Sequence, residues 1–467
     1  MVERGVESGV ATPLPGSFRD PAGHVFLRDG IVHRQIDPPG AAAYRRLMES
    51  GLYAALTGER LLVAHEELAA EARPPGAVAV LRPQQIPMVS YPYEWSLSQL
   101  RDAALATLGA QRTALRFGMV LKDASAFNVQ FLDGRPILID TLSFERYRGG
   151  PWAAYRQFCQ HFYAPLVLAA ARDPRLVRLA SLFIDGLPLP VASRLLPRLS
   201  YLRPGPLFHI HLHAAAEERL SASAKATADT PATSSPSTRS LEALIDSLER
   251  AVRAVRWTSR SEWAGYYADA ESYSSAAFAT KAGIVTGWLE TARPGTVWDL
   301  GANTGYFSKA AAALGARAVA FDADPACVDT LYREARNGGL DRVLPLLLDL
   351  AAPSPGIGWA NTERMTLDAR GPADMLLALA VTHHLAIGNN VPLAALADYF
   401  ARLGRRAIVE FVPKSDPMVR RMLRSREDVF DRYDQAAFED AFGARFTIDE
   451  RMVVAPSERV LYLMTTR

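Results

Sequence analysis

Cysteine is nearly missing from this chain: two residues, Cys159 and Cys327, occur in 467, far apart and outside any CxxC or Cys/His cluster. That usage excludes a disulfide framework and gives structural zinc no ligand set, so a reducing cytoplasm is the expected compartment and no metal is expected. No run approaches the ~20 apolar residues of a membrane span, and the opening MVERGVESGVATPLPG lacks a signal peptide's apolar core. A cytoplasmic chain without a membrane partner is the expectation. Excess charge is lacking too: 52 basic against 50 acidic residues leave a formal net charge of +2, with no basic stripe to favour nucleic acid. Lysine is scarcest. Lys122, Lys225, Lys281, Lys309 and Lys414 are the only ones, so arginine carries nearly all the positive charge.

What is present is enough apolar material, 49% of residues, for two cores in a chain longer than one core usually organises. The boundary is the stretch SASAKATADTPATSSPSTRS, Ser221 to Ser240, whose small polar residues and prolines cannot bury enough surface to fold. The layout expected is a disordered N-terminus over 1–16, an α+β domain over 17–213, a flexible linker over 214–240, and an α/β domain over 241–467. The last begins with LEALIDSLERAVRAVRW, apolar at helical spacing.

From Thr296 onward the runs TVWDLG, AVAFDA, VLPLLLD, ADMLLALAV and RAIVEFV are separated by lengths that fit crossover helices, the pattern of a parallel sheet. FTIDERMVVA and RVLYLMTT then follow with only PSE between them, short enough for an antiparallel hairpin. After the first strand, VWDLGANTGYF offers Gly301 and Gly305 where the backbone must turn tightly and approach a ligand. Acids stand at three successive strand ends, Asp299, Asp322 and Asp349, with Asp322 about twenty residues past the turn, the position suited to bonding both hydroxyls of a ribose. Helix capping is the alternative role for these acids.

This arrangement resembles the class I methyltransferases: a seven-stranded Rossmann-like sheet with a C-terminal antiparallel hairpin. The resemblance implies S-adenosyl-L-methionine as cofactor, with Asp299 organising its amino-acid end, Gly301, Asn303 and Gly305 forming the turn, and Asp349 near the adenine amine. Asn303 replaces a glycine often found there. The fourth strand runs into THHLAIGNN, which puts His383 and His384 at the carboxyl edge of the sheet, where open α/β proteins bind ligands. A neutral imidazole there can take a proton from an acceptor hydroxyl or amine; the alternative is a structural pair bonded to loop backbone. Glu410, at the next strand end, is a second candidate base, and Lys414 a candidate for orienting an anionic acceptor. Ala352 to Trp359 and Ser261 to Tyr273, rich in Gly, Pro and aromatics, are candidates to cover the site.

In the first half, FGMVLKDASAFNVQFLDGRPILIDTLSFE spans Phe117 to Glu145. Its Asp, the Asn five residues on, and a second Asp after an apolar hairpin resemble the catalytic and metal-binding loops of protein-kinase-like and aminoglycoside-phosphotransferase-like folds. The resemblance implies Asp123 as catalytic acid, with Asn128 and Asp140 as metal ligands. Leu121 stands where a histidine is usual, and Thr141-Leu142 where Phe-Gly is. No lysine precedes Lys122 and no GxGxxG lies upstream, while an arginine such as Arg34 or Arg82 replaces a phosphate-binding lysine imperfectly. A degenerate domain holding a nucleotide or a partner is therefore expected ahead of a phosphotransferase. The run HIHLH puts His209, His211 and His213 at alternate positions, on one face if a strand; a helix would bring His209 and His213 together.

Taken whole, the chain resembles bacterial methyltransferases grouped with the NoeA-like nodulation proteins, in which LKDASAFNVQF-like and DLGANTGYFS-like segments share one chain. That resemblance implies methyl transfer to a small-molecule or carbohydrate-type acceptor. The competing expectation is a non-catalytic module that keeps both folds and binds a ligand or partner.

Overall fold

The computed structural model describes residues 11–69, 73–223, 237–258, 275–424 and 427–467. Contacts divide the chain into two units, Met1–Trp257 with Gly356–Arg364, and Thr258–Pro355 with Met365–Arg467.

In the first unit, β1 (Thr12–Pro13), β2 (Gly23–Arg28), β3 (Ile31–Ile36), β4 (His65–Glu67) and β5 (Ala79–Pro83) make an antiparallel sheet in the order β1-β2-β3-β5-β4. Asp29-Gly30 joins β2 to β3 with both φ angles positive, 52° and 73°, the two-residue turn whose twist matches the flanking strands. Ordered chain thus starts ahead of Ser17, because Thr12 and Pro13 pair with Leu27 and Phe26. Helix Leu97–Arg116 opens with a reciprocal cap: Ser96 accepts from the Gln99 N–H and Gln99 accepts from the Ser96 N–H. Behind it β6 (Met119–Leu121) pairs with β9 (Phe144–Arg146), and β7 (Val129–Leu132) pairs with β8 (Arg135–Leu138) through a second positive-φ turn at Asp133-Gly134. This double pairing brings the loop after β6 and the residue after β8 to one place.

Two segments that the sequence assigns elsewhere belong to this unit. Helix Thr238–Ala254 buries Leu241, Ile245, Leu248 and Val252, one helical stripe, and Arg112 of helix Leu97–Arg116 pairs with its Asp246 and Glu249 at 2.8 and 2.6 Å. An apolar stripe needs a partner surface, and this one finds it here; the division falls at Trp257 instead of Ser240. Gly356–Arg364 is the other segment: Ile357 packs on the cluster of Tyr91, Tyr93 and Phe127, the Arg364 guanidinium lies 4.4 Å from the Phe127 ring centroid, and buried Glu363 accepts from Arg19 at 2.6 Å. Of the expected linker, Leu212–Ser223 and Thr238 onward are helical, because Ala- and Glu-rich sequence continues one helix and Ser237 caps the next; 224–236 lie outside the described residues.

The second unit holds β10 (Thr296–Leu300), β11 (Arg317–Asp322), β12 (Val343–Leu347), β13 (Ala373–Ala378), β14 (Gly404–Phe411), β15 (Phe446–Val453) and β16 (Val460–Thr466) in one sheet. Its order is β12-β11-β10-β13-β14-β16-β15. The first five are parallel, and β16 inserts antiparallel between β14 and β15. The near-continuous apolar runs of β10, β13 and β14 are what a sheet covered on both faces requires, with Val297, Leu300, Leu376, Leu377 and Ile408 fully buried. The order reverses beside β10, and the carboxyl ends of the strands flanking such a reversal, here β10 and β13, are the place where open α/β sheets take ligands.

Candidate functional site

In the second unit, the chain leaves β10 through three left-handed residues, Gly301 (φ 75°), Asn303 (φ 52°) and Gly305 (φ 75°), before helix Tyr306–Ala313 starts. A Cβ on Gly301 would overlap Val381, and one on Gly305 would overlap Leu331, so both glycines are demanded by backbone conformation and by space. Asp322, at the end of β11, accepts from the N–H of Asn303 at 2.7 Å and of Asp324 at 2.8 Å, one bond on each oxygen. It thereby clamps the turn to the neighbouring strand. Asp299 is buried under the turn and accepts from the Ser308 hydroxyl at 2.6 Å. Desolvation pushes both carboxyls up to about 6. Asp349 lies two residues beyond β12 and accepts from the Ala351 N–H at 2.9 Å; a further bond, from the Leu348 N–H to the Asp322 carbonyl at 2.8 Å, ties the ends of β11 and β12 together.

The loop after β13 brings His383 and His384 ring to ring, centroids 4.2 Å apart. His383 is 1% exposed, and its Nδ1 has no hydrogen-bond partner among the described residues. Burial, then the charges of its neighbours, hold it well below the usual imidazole range, so it is neutral near pH 7; burial lowers His384 as well. Glu410 sits apart in its bonding: fully buried, it receives the Lys281 ammonium at 2.6 Å, and the Arg459 guanidinium approaches at 3.7 Å. Arg459 in turn donates from Nε to Asp416 at 2.7 Å. Burial lowers Lys281, and Glu410 opposes that shift. Sequence reasoning missed Lys281, Arg459 and Asp416. The signal was there for Lys281, one of five lysines, alone among small and apolar residues in SAAFATKAGIVTGW. Lys414 pairs with Asp428 at 2.9 Å. Of the expected covering segments, Trp359 is 71% exposed in the first unit, and Ser261 to Tyr273 lie outside the described residues.

The first unit has its own polar cluster. Asp123 accepts from the Ser125 N–H at 3.0 Å and from Gln157 at 2.7 Å. Asp140 accepts from the Leu142 N–H at 2.9 Å, the Ser143 hydroxyl at 2.5 Å and the Arg34 guanidinium at 2.7 Å. Asn128 donates to the same Ser143 hydroxyl at 3.3 Å. Ser143 therefore joins Asn128 to Asp140, while Asp123 is held separately through Gln157. Arg34, on β3, which the sequence offers as an imperfect substitute for a phosphate-binding lysine, is taken up by the half-buried Asp140. The HIHLH run is helical: His209 bonds Tyr155 and Ser247 at 2.9 and 3.0 Å, and His211 bonds Ser193 and Ser200 at 2.8 and 2.7 Å. Among the described residues, no group of three His, Cys, Asp or Glu side chains is arranged to hold a metal ion.

No family model matches the chain. Nodulation protein NoeA of Rhizobium meliloti (strain 1021) is 34% identical to it, over 97% of this chain and 96% of that protein. Among solved structures, the magnesium protoporphyrin IX methyltransferase of Synechocystis PCC 6803 with bound SAH is 19% identical over 41% of this chain and 84% of its own, at a TM-score of 0.32. The bifunctional kinase-methyltransferase WbdD is 16% identical over 40% of this chain and 39% of its own, at a TM-score of 0.30.

Proposed function

The chain belongs to the family of nodulation protein NoeA, and from that premise we propose that its second unit transfers a methyl group from S-adenosyl-L-methionine to a small-molecule or carbohydrate-type acceptor. The observation that carries this reading is the clamp of Asp322 on the left-handed turn Gly301–Gly305. A carboxylate offers about four acceptor positions. Asp322 accepts from the Asn303 and Asp324 N–H groups, one on each oxygen, with the Ala323 N–H also directed at it, and the acceptor capacity left on the carboxylate suits the hydroxyls of a ribose. Asp299, two residues before the turn and bonded to Ser308, sets the turn's shape and adds negative charge beneath it, suited to the cationic amino-acid end of the cofactor. Asp349, at the third strand end, suits the adenine amine.

The cofactor supplies an electrophilic methyl group on a sulfonium, so the protein's part is alignment, exclusion of water and removal of one proton from the acceptor. His383 or His384 takes that proton in this reading, ahead of Glu410. A neutral imidazole accepts a proton directly, and the His383 Nδ1 has no hydrogen-bond partner among the described residues, whereas the Glu410 carboxylate is already neutralised by Lys281.

For the first unit we propose a degenerate kinase-like domain that binds a nucleotide or partner without phosphoryl transfer, with Asp123, Asn128 and Asp140 as the remnant site. Its support is the order of loop, hairpin and Asp140, and the Arg34 contact that takes up Asp140.

Titration calorimetry of the full chain with S-adenosyl-L-methionine, followed by detection of the demethylated cofactor on addition of cell extract, tests the main reading. Binding with turnover supports it. Binding without turnover in any extract favours the non-catalytic module, and absence of binding overturns the cofactor assignment.

A further inference from the structure

Six large apolar side chains stand out of the first unit within one short stretch: Leu195 (45% exposed), Leu199 (71%), Tyr201 (49%), Leu202 (80%), Phe208 (57%) and Leu212 (50%). Soluble surfaces scatter such residues singly, and a concentration of them marks an interaction site. These belong to one rigid place. Leu199 and Leu202 are three apart on the 3-10 turn Arg198–Leu202, and Phe208 and Leu212 are four apart on continuous helical chain, so each pair shares a face. Buried His211 pins the parts together: its Nδ1 bonds Ser193 of helix Leu189–Leu195, its Nε2 bonds Ser200 of the 3-10 turn, and the Tyr201 ring stacks on it with centroids 3.7 Å apart.

The charge around this face is predominantly positive. From Arg172 to Leu212 the chain carries six arginines, no lysine and two aspartates. Arg194 is paired with Glu218, but Arg198 and Arg203, exposed on either side of Leu199 and Leu202, have no ion pair among the described residues.

We infer that this face docks the protein on an anionic phospholipid surface. Leucines exposed by 71% and 80% protrude from turns; a protein partner would have to offer a matching pocket for each, whereas a fluid bilayer accepts protrusions without one. Leucine and aromatic tips bury at the headgroup boundary while arginine stems lie along it and place their guanidinium groups on lipid phosphates. Docking of this kind needs no span, and among the described residues no helix is long and apolar enough to cross a membrane. The expectation of no membrane partner rested on the missing span and the missing apolar opening; this face is assembled by folding, because His211 ties the helix, the 3-10 turn and the helical run together.

The test is co-sedimentation of the full chain with vesicles of phosphatidylcholine containing about 30% phosphatidylglycerol. Binding is expected to the anionic vesicles, to weaken with salt, and to fall roughly tenfold or more in the double variant Leu199→Glu/Leu202→Glu. Unchanged circular dichroism and thermal midpoint establish that this variant folds; Arg198→Gln/Arg203→Gln, at two exposed positions, should lose the salt-sensitive part. Failure to sediment, equal binding to pure phosphatidylcholine, or wild-type binding by the leucine variant overturns the inference. A dimer without vesicles that the leucine variant abolishes also overturns it, because the face is then an interface between copies of this chain.

Discussion

The Arg34 guanidinium, carried on β3, stands 2.7 Å from Oδ1 of Asp140, and the same carboxylate already accepts from the Leu142 N–H and the Ser143 hydroxyl. A metal ligand needs open lone pairs aimed at a shared point, and Asp140 directs its charge at an arginine that cannot be deprotonated. Robust ATP turnover is therefore not expected, with or without added magnesium or manganese. Turnover by the full chain that disappears in Asp140→Asn would overturn this. Both side chains are about 13–14% exposed, so Asp140→Ala, which strands the guanidinium, should destabilise the first unit by about 3 kcal/mol, measured by denaturant unfolding.

Asp322→Ala should weaken S-adenosyl-L-methionine by the paired hydroxyl bonds, each worth ~1.5 to 3 kcal/mol. Since Asp322 also holds the turn through Asn303, Asp322→Asn serves as the companion. It keeps an acceptor and loses the charge, so intermediate affinity is expected by calorimetry. Wild-type affinity in both folded variants would remove Asp322 from the site.

Gly301→Val should abolish cofactor binding and leave the first unit folded. A branched Cβ meets Val381, and φ of 75° is costly for a β-branched residue. Two-stage unfolding in which only the second unit's transition shifts is the expected record; cofactor binding at wild-type strength would place the ligand elsewhere.

Burial raises the Asp299 and Asp322 carboxyls to about 6 from an ordinary value of 3.8. With the folded value above the unfolded one, folding favours the protonated forms. That contribution to stability is complete below about pH 4 and is lost as pH rises through about 6. Ribose hydroxyls and a cationic cofactor favour the ionised forms instead, so binding should release protons near pH 6, and affinity should fall as pH drops from about 7 to about 5. Calorimetry in two buffers of different ionisation enthalpy measures the release; its absence, with flat affinity, would mean neither acid meets the ligand.

Histidine and glutamate at the sheet edge should fail in different ways. His383→Gln or His384→Gln is expected to cut turnover by ~10² to 10⁴ with cofactor affinity retained. Glu410→Gln leaves Lys281 and Arg459 buried against a weakened partner, so its effect should appear first as lost stability of about 3 kcal/mol. Normal turnover in both histidine variants, with a stable but inactive Glu410→Gln, would make the carboxylate the base.

Much of the second unit was legible because its signals are local. Six of its seven strands coincide with an apolar run between turn residues, β15 (FTIDERMV) being mostly polar and exposed, and the six-residue connection from Val454 to Arg459 is short enough to join β15 and β16 as an antiparallel hairpin. The left-handed turn was readable from Gly301 and Gly305, since few other residues take that backbone. In the first unit, Asp123, Asn128 and Asp140 could be read from spacing, but the helix Thr238–Ala254 could not be assigned to a unit: an amphipathic stripe announces that it needs a partner without naming one.

By itself, then, the sequence determined the order of strands and crossovers, the glycine turn with an acid at each of three strand ends, and the absence of lysine ahead of Lys122, because these depend on residues near one another in the chain and on backbone geometry. Only the tertiary structure decided that Lys281 answers Glu410 from 129 residues away, that Arg34 answers Asp140, and that His383 is buried with its Nδ1 unpartnered among the described residues. Those are consequences of burial. A charge taken out of water must find an opposite charge wherever the fold brings one, and no spacing along the chain encodes which one arrives.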